Sequence, residues 1–386
     1  MTTQTYQNIK HNAPFRADHV GSYLRPQKLV KAREKFNEGE ISRDDLTAVE
    51  NQVIKELVDK QKEVGLQAIT DGEFRRSYWH LDFFWGLNGV EHTQAKVGYQ
   101  FHDETTKPDS ASLSGKITGK NHPFVEHFKF LKNEVGTDAV AKQTIPAPAQ
   151  LYFELVRDNE HVENVFSVYS NKDELFEDIA QAYKTVIADL YEAGCRTLQL
   201  DDCTWGSIVD DSLLEIIADG SGRTPEELRE EFAADFIQLN NAVLNDLPEE
   251  LVVNTHICRG NFHSTWGTSG GYGAVADVLF GEENVNAYYL EYDTDRAGGF
   301  EPLSKVTEGK KVVLGLLTSK FPDLEDKDEV IARIKEASQY VPLEDLYLST
   351  QCGFASTEEG NILTEEDQWK KIRLIQDIAQ EVWGDK

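Results

Sequence analysis

Short apolar runs recur along the chain, and most are followed by stretches whose apolar positions fall three and four residues apart. Runs of the first kind read as buried strands and stretches of the second kind as amphipathic helices. The predicted strands are 15–20, 67–71, 139–144, 197–201, 251–256, 285–291, 311–317 and 346–350. Several helices between them carry their own start signals. Ser42 with Asp45 opens one whose apolar face is Leu46, Val49, Val53 and Leu57, and Gly65 closes it as a left-handed cap. Between Asn171 and Gly194, the positions Leu175, Ile179, Ala182, Val186 and Leu190 keep the helical spacing. Thr224, Pro225 and Glu227 form a capping box with proline in the first turn. Thr364 with Asp367 opens the last helix, and Pro342 is expected to stop the helix that begins near Asp328.

Strand then helix, eight times over, predicts a closed (β/α)8 TIM barrel spanning 1–386, because each parallel strand needs a crossover to reach the next. The stretch 74–136, between the second and third strands, is too long for an ordinary connection and reads as an insertion. It starts with an aromatic run from Tyr78 to Trp85, and Gly115 and Gly119 suggest a hairpin within 113–120. The insertion either covers the barrel mouth or buries its aromatics against another subunit of a homo-oligomer; the sequence leaves both open.

Reactive side chains gather where these strands end. The first runs into Asp18, His19, Gly21 and Ser22, the second into Asp71 and Glu73, and the fourth into Asp201, Asp202 and Cys203. The fifth ends in His256 and Cys258, the sixth in Glu291, and the eighth in Cys352 and Gly353. In a barrel of this type the C-terminal strand ends form one mouth, so these residues converge.

His256 and Cys258 flank one residue and point to the same side of a strand. With Glu291 and Cys352 they offer imidazole, carboxylate and two thiolates, a set suited to tetrahedral zinc. Two thiolates and a carboxylate outweigh the dication, which favours activating a bound thiol over making hydroxide. Glu73 and Asp201 supply carboxylates for an ammonium group, and Ser22 after Gly21 supplies donors for a carboxylate. His19, Arg16, Trp205 and the aromatic run are the expected lining of a second-substrate pocket.

Charge narrows the partners. The 386 residues carry a formal charge of -29, so nucleic acid and anionic membranes would be repelled. No apolar run approaches the roughly 18 residues of a spanning helix. The four cysteines lack a close-spaced framework, so reduced thiols or metal ligands in a cytoplasmic protein are expected.

At these residues the sequence resembles the catalytic barrel of cobalamin-independent methionine synthase, from about residue 15 to the C-terminus. His256-x-Cys258, Glu291 and Cys352-Gly353 stand where that family holds zinc, and Gly21-Ser22, Gly72-Glu73 and Asp201 where it holds homocysteine. The resemblance implies homocysteine as the thiol, methionine as product, and methyltetrahydrofolate or another carrier such as a corrinoid as methyl donor. Three departures accompany it. The chain is too short for the second, N-terminal barrel of the full-length enzymes. Lys320 occupies the place of the family's proton-donor histidine. The family's Asp-Glu-Pro becomes Asp201-Asp202-Cys203, setting another sulfur near the metal. Similar single-barrel proteins transfer alkyl groups to other thiols, as in epoxide:thiol transfer. A non-catalytic zinc-binding barrel is the remaining alternative, and it fits less well because structural zinc ligands usually lie close together in sequence.

Overall fold

In the computed structural model of the chain, the described residues are 13–219 and 221–384. The strands are β1 (Ala68–Ile69), β2 (Asn88–Gln94), β3 (Asp109–Thr118), β4 (Val140–Pro146), β5 (Thr197–Asp202), β6 (Val252–Ile257), β7 (Ala287–Glu291), β8 (Lys311–Leu317) and β9 (Leu346–Thr350). Seven of them form one parallel sheet in the order β1-β4-β5-β6-β7-β8-β9. β2 and β3 pair separately as an antiparallel hairpin.

The gap between β9 and β1 is filled by the segment at 15–23. Ala17 bridges Leu348 and Ser22 bridges Gly72, both in parallel. Asp18 N donates to Leu348 O at 2.9 Å, and Tyr23 N to Gly72 O at 3.1 Å. This eighth stave closes the (β/α)8 barrel, yet it forms isolated bridges where a continuous strand is predicted. The cause is local: Asp18 turns its carboxylate onto the backbone N–H of Phe15 (3.1 Å) and of His19 (2.8 Å), in competition with the ladder.

The helix caps form as their residues dictate. Capping boxes are present at Ser42/Asp45, Thr224/Glu227 and Thr364/Asp367, and Gly65 takes φ +88° past the end of Arg43–Glu63. Pro342 does not end its helix. Lys327–Ala337 stops five residues earlier, in turns closed by Gln339 N to Glu336 O and Tyr340 N to Ala337 O.

The hairpin also departs from expectation. β3 runs straight through Gly115, and the connection between its strands is 95–108. Gly119 serves a close approach: a Cβ there would lie 2.1 Å from Ala182 O of the helix Lys172–Glu192. The aromatic run packs onto the protein's own core, with Phe83 against His122, Phe124 and Tyr183. The 95–108 connection lies over the loop after β6, where Phe101 meets Phe262, His102 stacks on Trp266 and Glu104 contacts His263. Among the described residues, no helix is long and apolar enough to cross a membrane.

Below the mouth the barrel interior is polar, and a charged cluster there is paired within the protein. Lys142 Nζ donates to Asp18 Oδ1 at 3.1 Å, and Tyr289 OH donates to Asp18 Oδ2 at 2.9 Å. Burial raises the Asp18 pKa, but Lys142, His19 and two backbone N–H groups outweigh it and hold the group below its ordinary value.

Candidate metal centre

Three strand ends and their following residues build the centre. β6 carries His256 and leads to Cys258, β7 ends on Glu291, and Cys352 lies two residues past β9. Between them β8 is drawn in tightly at Gly315, where a Cβ would sit 2.6 Å from Gln351 Cα and 2.7 Å from Leu290 O. The ligand atoms of His256, Cys258, Glu291 and Cys352 all lie within 4.8 Å of one another, and all four residues are buried.

The donors fit a zinc ion. Two sulfurs bound tetrahedrally at about 2.3 Å from zinc stand about 3.8 Å apart, and the Cys258 and Cys352 sulfurs are 3.7 Å apart. His256 Nδ1 lies 3.3 Å from Tyr289 O, which selects the tautomer with a lone pair on Nε2. That Nε2 is buried and has no hydrogen-bond partner. Glu291 Oε1 accepts from Arg259 N at 2.8 Å, and Oε2 lies 3.5 Å from Arg296 Nη2. Gly260 N donates to the Cys258 sulfur at 3.3 Å. Without metal, contact with the Cys203 thiol and burial push the Cys258 thiol well up, while contact with Cys258 and burial do the same to Cys352. A bound cation reverses this by favouring thiolates. The third sulfur, on Cys203, touches this cluster without belonging to the group of four.

Beside the centre two carboxylates face each other. Glu73, at φ +62°, accepts from Thr144 Oγ1 at 2.8 Å and pairs with Arg76 at 3.2 Å through Oε1, while its Oε2 is buried and unpartnered. Asp201 accepts from Gln199 Nε2 at 2.8 Å. Burial, and next the Glu73 charge, raise the Asp201 pKa well above the carboxylate range. An ammonium group placed between them would relieve both. Ser22 stands on the other side, against the Cys352-Gly353 turn: Phe354 N donates to Ser22 O at 3.0 Å, and Ala355 N to its Oγ at 3.3 Å. A Cβ on Gly353 would come within 1.9 Å of Ser22 Oγ, so only glycine lets the two meet.

Lys320, after β8, is 1% exposed and its Nζ has no partner. Its neighbour Ser319 donates to Gly353 O at 2.8 Å. Three residues expected to line a second pocket are engaged in the protein's own packing. Arg16 is at the opposite end of the barrel, where it donates to Leu346 O at the start of β9 and lies over Tyr347 and Trp383. His19 is locked in the interior, Nε2 to Ala68 O at 2.9 Å and Nδ1 to Tyr23 OH at 3.2 Å. Burial and Lys142 lower its pKa to about 3, so it is neutral. Trp205 is wholly buried, edge-on to Phe236. Sequence reasoning missed Asn261, whose amide donates to Gly353 O (2.8 Å) and Ser356 Oγ (3.2 Å) and so braces the Cys352 turn. Its one signal is its place three residues after a ligand, behind Gly260 at φ +88°.

Comparison with known proteins adds the family. Residues 15–380 match the family described as the catalytic domain of cobalamin-independent synthase. The chain is 47% identical over 375 residues to the uncharacterized protein YxjH of Bacillus subtilis (strain 168), covering 97% of this chain and 96% of that one. It is 21% identical to the 5-methyltetrahydropteroyltriglutamate–homocysteine methyltransferase of Nitrosomonas europaea, covering 91% of this chain but 42% of that longer protein. Among solved structures, a putative vitamin-B12-independent methionine synthase from Listeria monocytogenes superposes with a TM-score of 0.75 at 40% identity, covering 97% of this chain and 99% of that one. The family match takes in every residue of the candidate centre, and the chain belongs to the cobalamin-independent synthase catalytic-domain family.

Proposed function

We propose that the protein is a zinc-dependent S-methyltransferase that methylates homocysteine to methionine. The observation that carries this reading is a buried His-Cys-Glu-Cys group, with an unpartnered His256 Nε2, set beside the facing carboxylates of Glu73 and Asp201. Zinc held by His256, Cys258, Glu291 and Cys352 would favour the ionised form of a substrate thiol while the two cysteine sulfurs keep that thiol nucleophilic.

The protein's own groups then orient the acceptor. Glu73 and Asp201 take the ammonium of the amino acid, and Ser22 with the backbone at Gly21 takes its carboxylate. Lys320, buried without a partner, is the proton source for the group that gives up the methyl. The donor is a methyltetrahydrofolate, as the Nitrosomonas relative's description indicates for that protein, or another methyl carrier.

The test is methionine formation by purified, zinc-loaded protein from homocysteine, with monoglutamyl and polyglutamyl methyltetrahydrofolate and methylcobalamin compared as donors. Turnover with a folate donor is the expected result. Failure with all three, in protein shown to hold one zinc, would overturn the reading.

A further inference from the structure

The tip of the β2–β3 hairpin sits on the loop that follows the ligand Cys258. Gln100 and Thr105 bridge across the tip, and Phe101 N donates to Glu104 O at 2.8 Å, so Phe101, His102 and Glu104 leave one tight turn together. All three side chains meet the loop 259–266. The Phe101 ring lies 5.4 Å from that of Phe262, the His102 ring stacks on Trp266 at 4.7 Å, and His263 Nδ1 donates to Glu104 Oε2 at 2.6 Å. The backbone adds a fourth tie, from His102 N to Trp266 O at 2.8 Å.

The loop held in this way is strained. His263 and Ser264 take φ +44° and +67°, a left-handed conformation that residues with side chains keep only where their surroundings enforce it. Glu104 holds His263 from the hairpin side. From the other side, Asn361 Oδ1 accepts from Ser264 N at 2.8 Å, and Ser264 Oγ accepts from Ile362 N at 3.0 Å. The same loop reaches both sulfur ligands. Gly260 N donates to the Cys258 sulfur at 3.3 Å. A Cβ on Gly260 would lie 3.0 Å from Phe101 Cε1 and 2.6 Å from Gly267 N, so the hairpin closes directly on the residue that supports that sulfur. Asn261 donates to Gly353 O at 2.8 Å and accepts from Asn361 Nδ2 at 2.9 Å, which ties the loop to the turn of Cys352.

We propose that the hairpin tip is a strap that retains the metal ion: Phe101, His102 and Glu104 hold the loop after β6 in its strained form and, through Gly260 and Asn261, fix the sulfurs of Cys258 and Cys352. This rests on the reading of His256, Cys258, Glu291 and Cys352 as metal ligands. Those four residues are at most 6% exposed, so an ion enters or leaves only when surrounding loops give way, and the loop 259–266 is one of them. Supports that orient a ligand govern how tightly an ion is kept, which makes the three tip residues positioning residues. Their shares differ. The Glu104 and His263 side chains are 43% and 39% exposed, so water screens that pair and it contributes little by itself. The ring packing of Phe101 against Phe262 and Gly260 is the main hold.

Zinc release to a chromophoric chelator, from zinc-loaded protein without substrate, reads the strap directly. Phe101→Ala should release zinc about tenfold faster than the wild type. Glu104→Ala should release it about threefold faster, and Glu104→Gln, whose amide oxygen still accepts from His263, should return close to the wild-type rate. Lys96→Ala, on the same connection but paired with Glu160, should match the wild type. Asn261→Ala should also speed release, and combined with Phe101→Ala it should fall short of the product of the two effects, because both act through one loop. In zinc-free protein, hydrogen exchange followed by mass spectrometry should rise over 259–266 in Phe101→Ala and not in Lys96→Ala. A wild-type release rate or unchanged exchange in Phe101→Ala, or fully multiplicative effects in the double variant, would overturn the strap while leaving the metal reading intact. Wild-type protein that holds no zinc would overturn the metal reading instead, and the exchange comparison would still show whether the tip holds the loop.

Discussion

The barrel holds two buried polar clusters, one above the other, and they differ in what they leave unpaired. In the floor, the Lys142 ammonium, both Asp18 oxygens, the Tyr289 hydroxyl and both His19 nitrogens find partners within the protein. In the mouth, His256 Nε2, Glu73 Oε2 and Lys320 Nζ find none. An unpaired buried polar atom destabilises a fold, and these three surround the candidate centre, where a bound ligand would satisfy them. The Asp18–Lys142 cluster satisfies itself, whereas the candidate centre leaves groups open to something that arrives.

Substitutions can break this contrast in a graded order. The largest effect is expected in the mouth: Cys352→Ser or His256→Ala should lose zinc by metal analysis and lose methionine formation by more than the ~100-fold typical of losing an outer partner. Lys142→Met should leave the ligands in place but strand the Asp18 charge, costing about 3–5 kcal/mol in denaturant unfolding. Asp201→Asn should act in opposite senses on the two properties. Removing a carboxylate that burial and Glu73 hold in its neutral form should stabilise the ligand-free protein by on the order of 1 kcal/mol, while weakening homocysteine binding measured by calorimetry. The smallest effect is Arg16→Met, which removes a stacking contact worth about 1 kcal/mol or less at the far end and should leave zinc content and turnover unchanged.

The two clusters also differ in their response to acid. Asp18 titrates below its ordinary value, so its stabilisation is complete above that value and is lost as pH falls toward the depressed one. Asp201 titrates above its ordinary value, so its ionised form is a liability that grows as pH rises through the folded-state pKa. Acid unfolding followed by circular dichroism should therefore shift to higher pH in Asp18→Asn and should not in Asp201→Asn.

Much of this was legible in the sequence because it is local or periodic. The capping boxes at Ser42, Thr224 and Thr364 need only residues three apart, and β8 and β9 have the bounds that their apolar runs predict. The clustering of the four candidate ligands was legible because strand ends share one face of the barrel. What failed depended on contacts distant in sequence or on competition within the backbone. Asp18 draws the N–H groups of its own segment away from the ladder. Gly119 is glycine because Ala182 passes it, a contact invisible to turn rules. Arg16 begins its stave, so the rule that placed the ligands at strand C-termini also places it at the other end of the barrel.

Zinc-edge X-ray absorption on the purified protein, with and without homocysteine, tests the central claim most directly. One zinc per chain is expected, bound by one nitrogen, two sulfurs and one oxygen, with a third sulfur when homocysteine is added. Absence of stoichiometric zinc, or a sulfur count that homocysteine leaves unchanged, would contradict it.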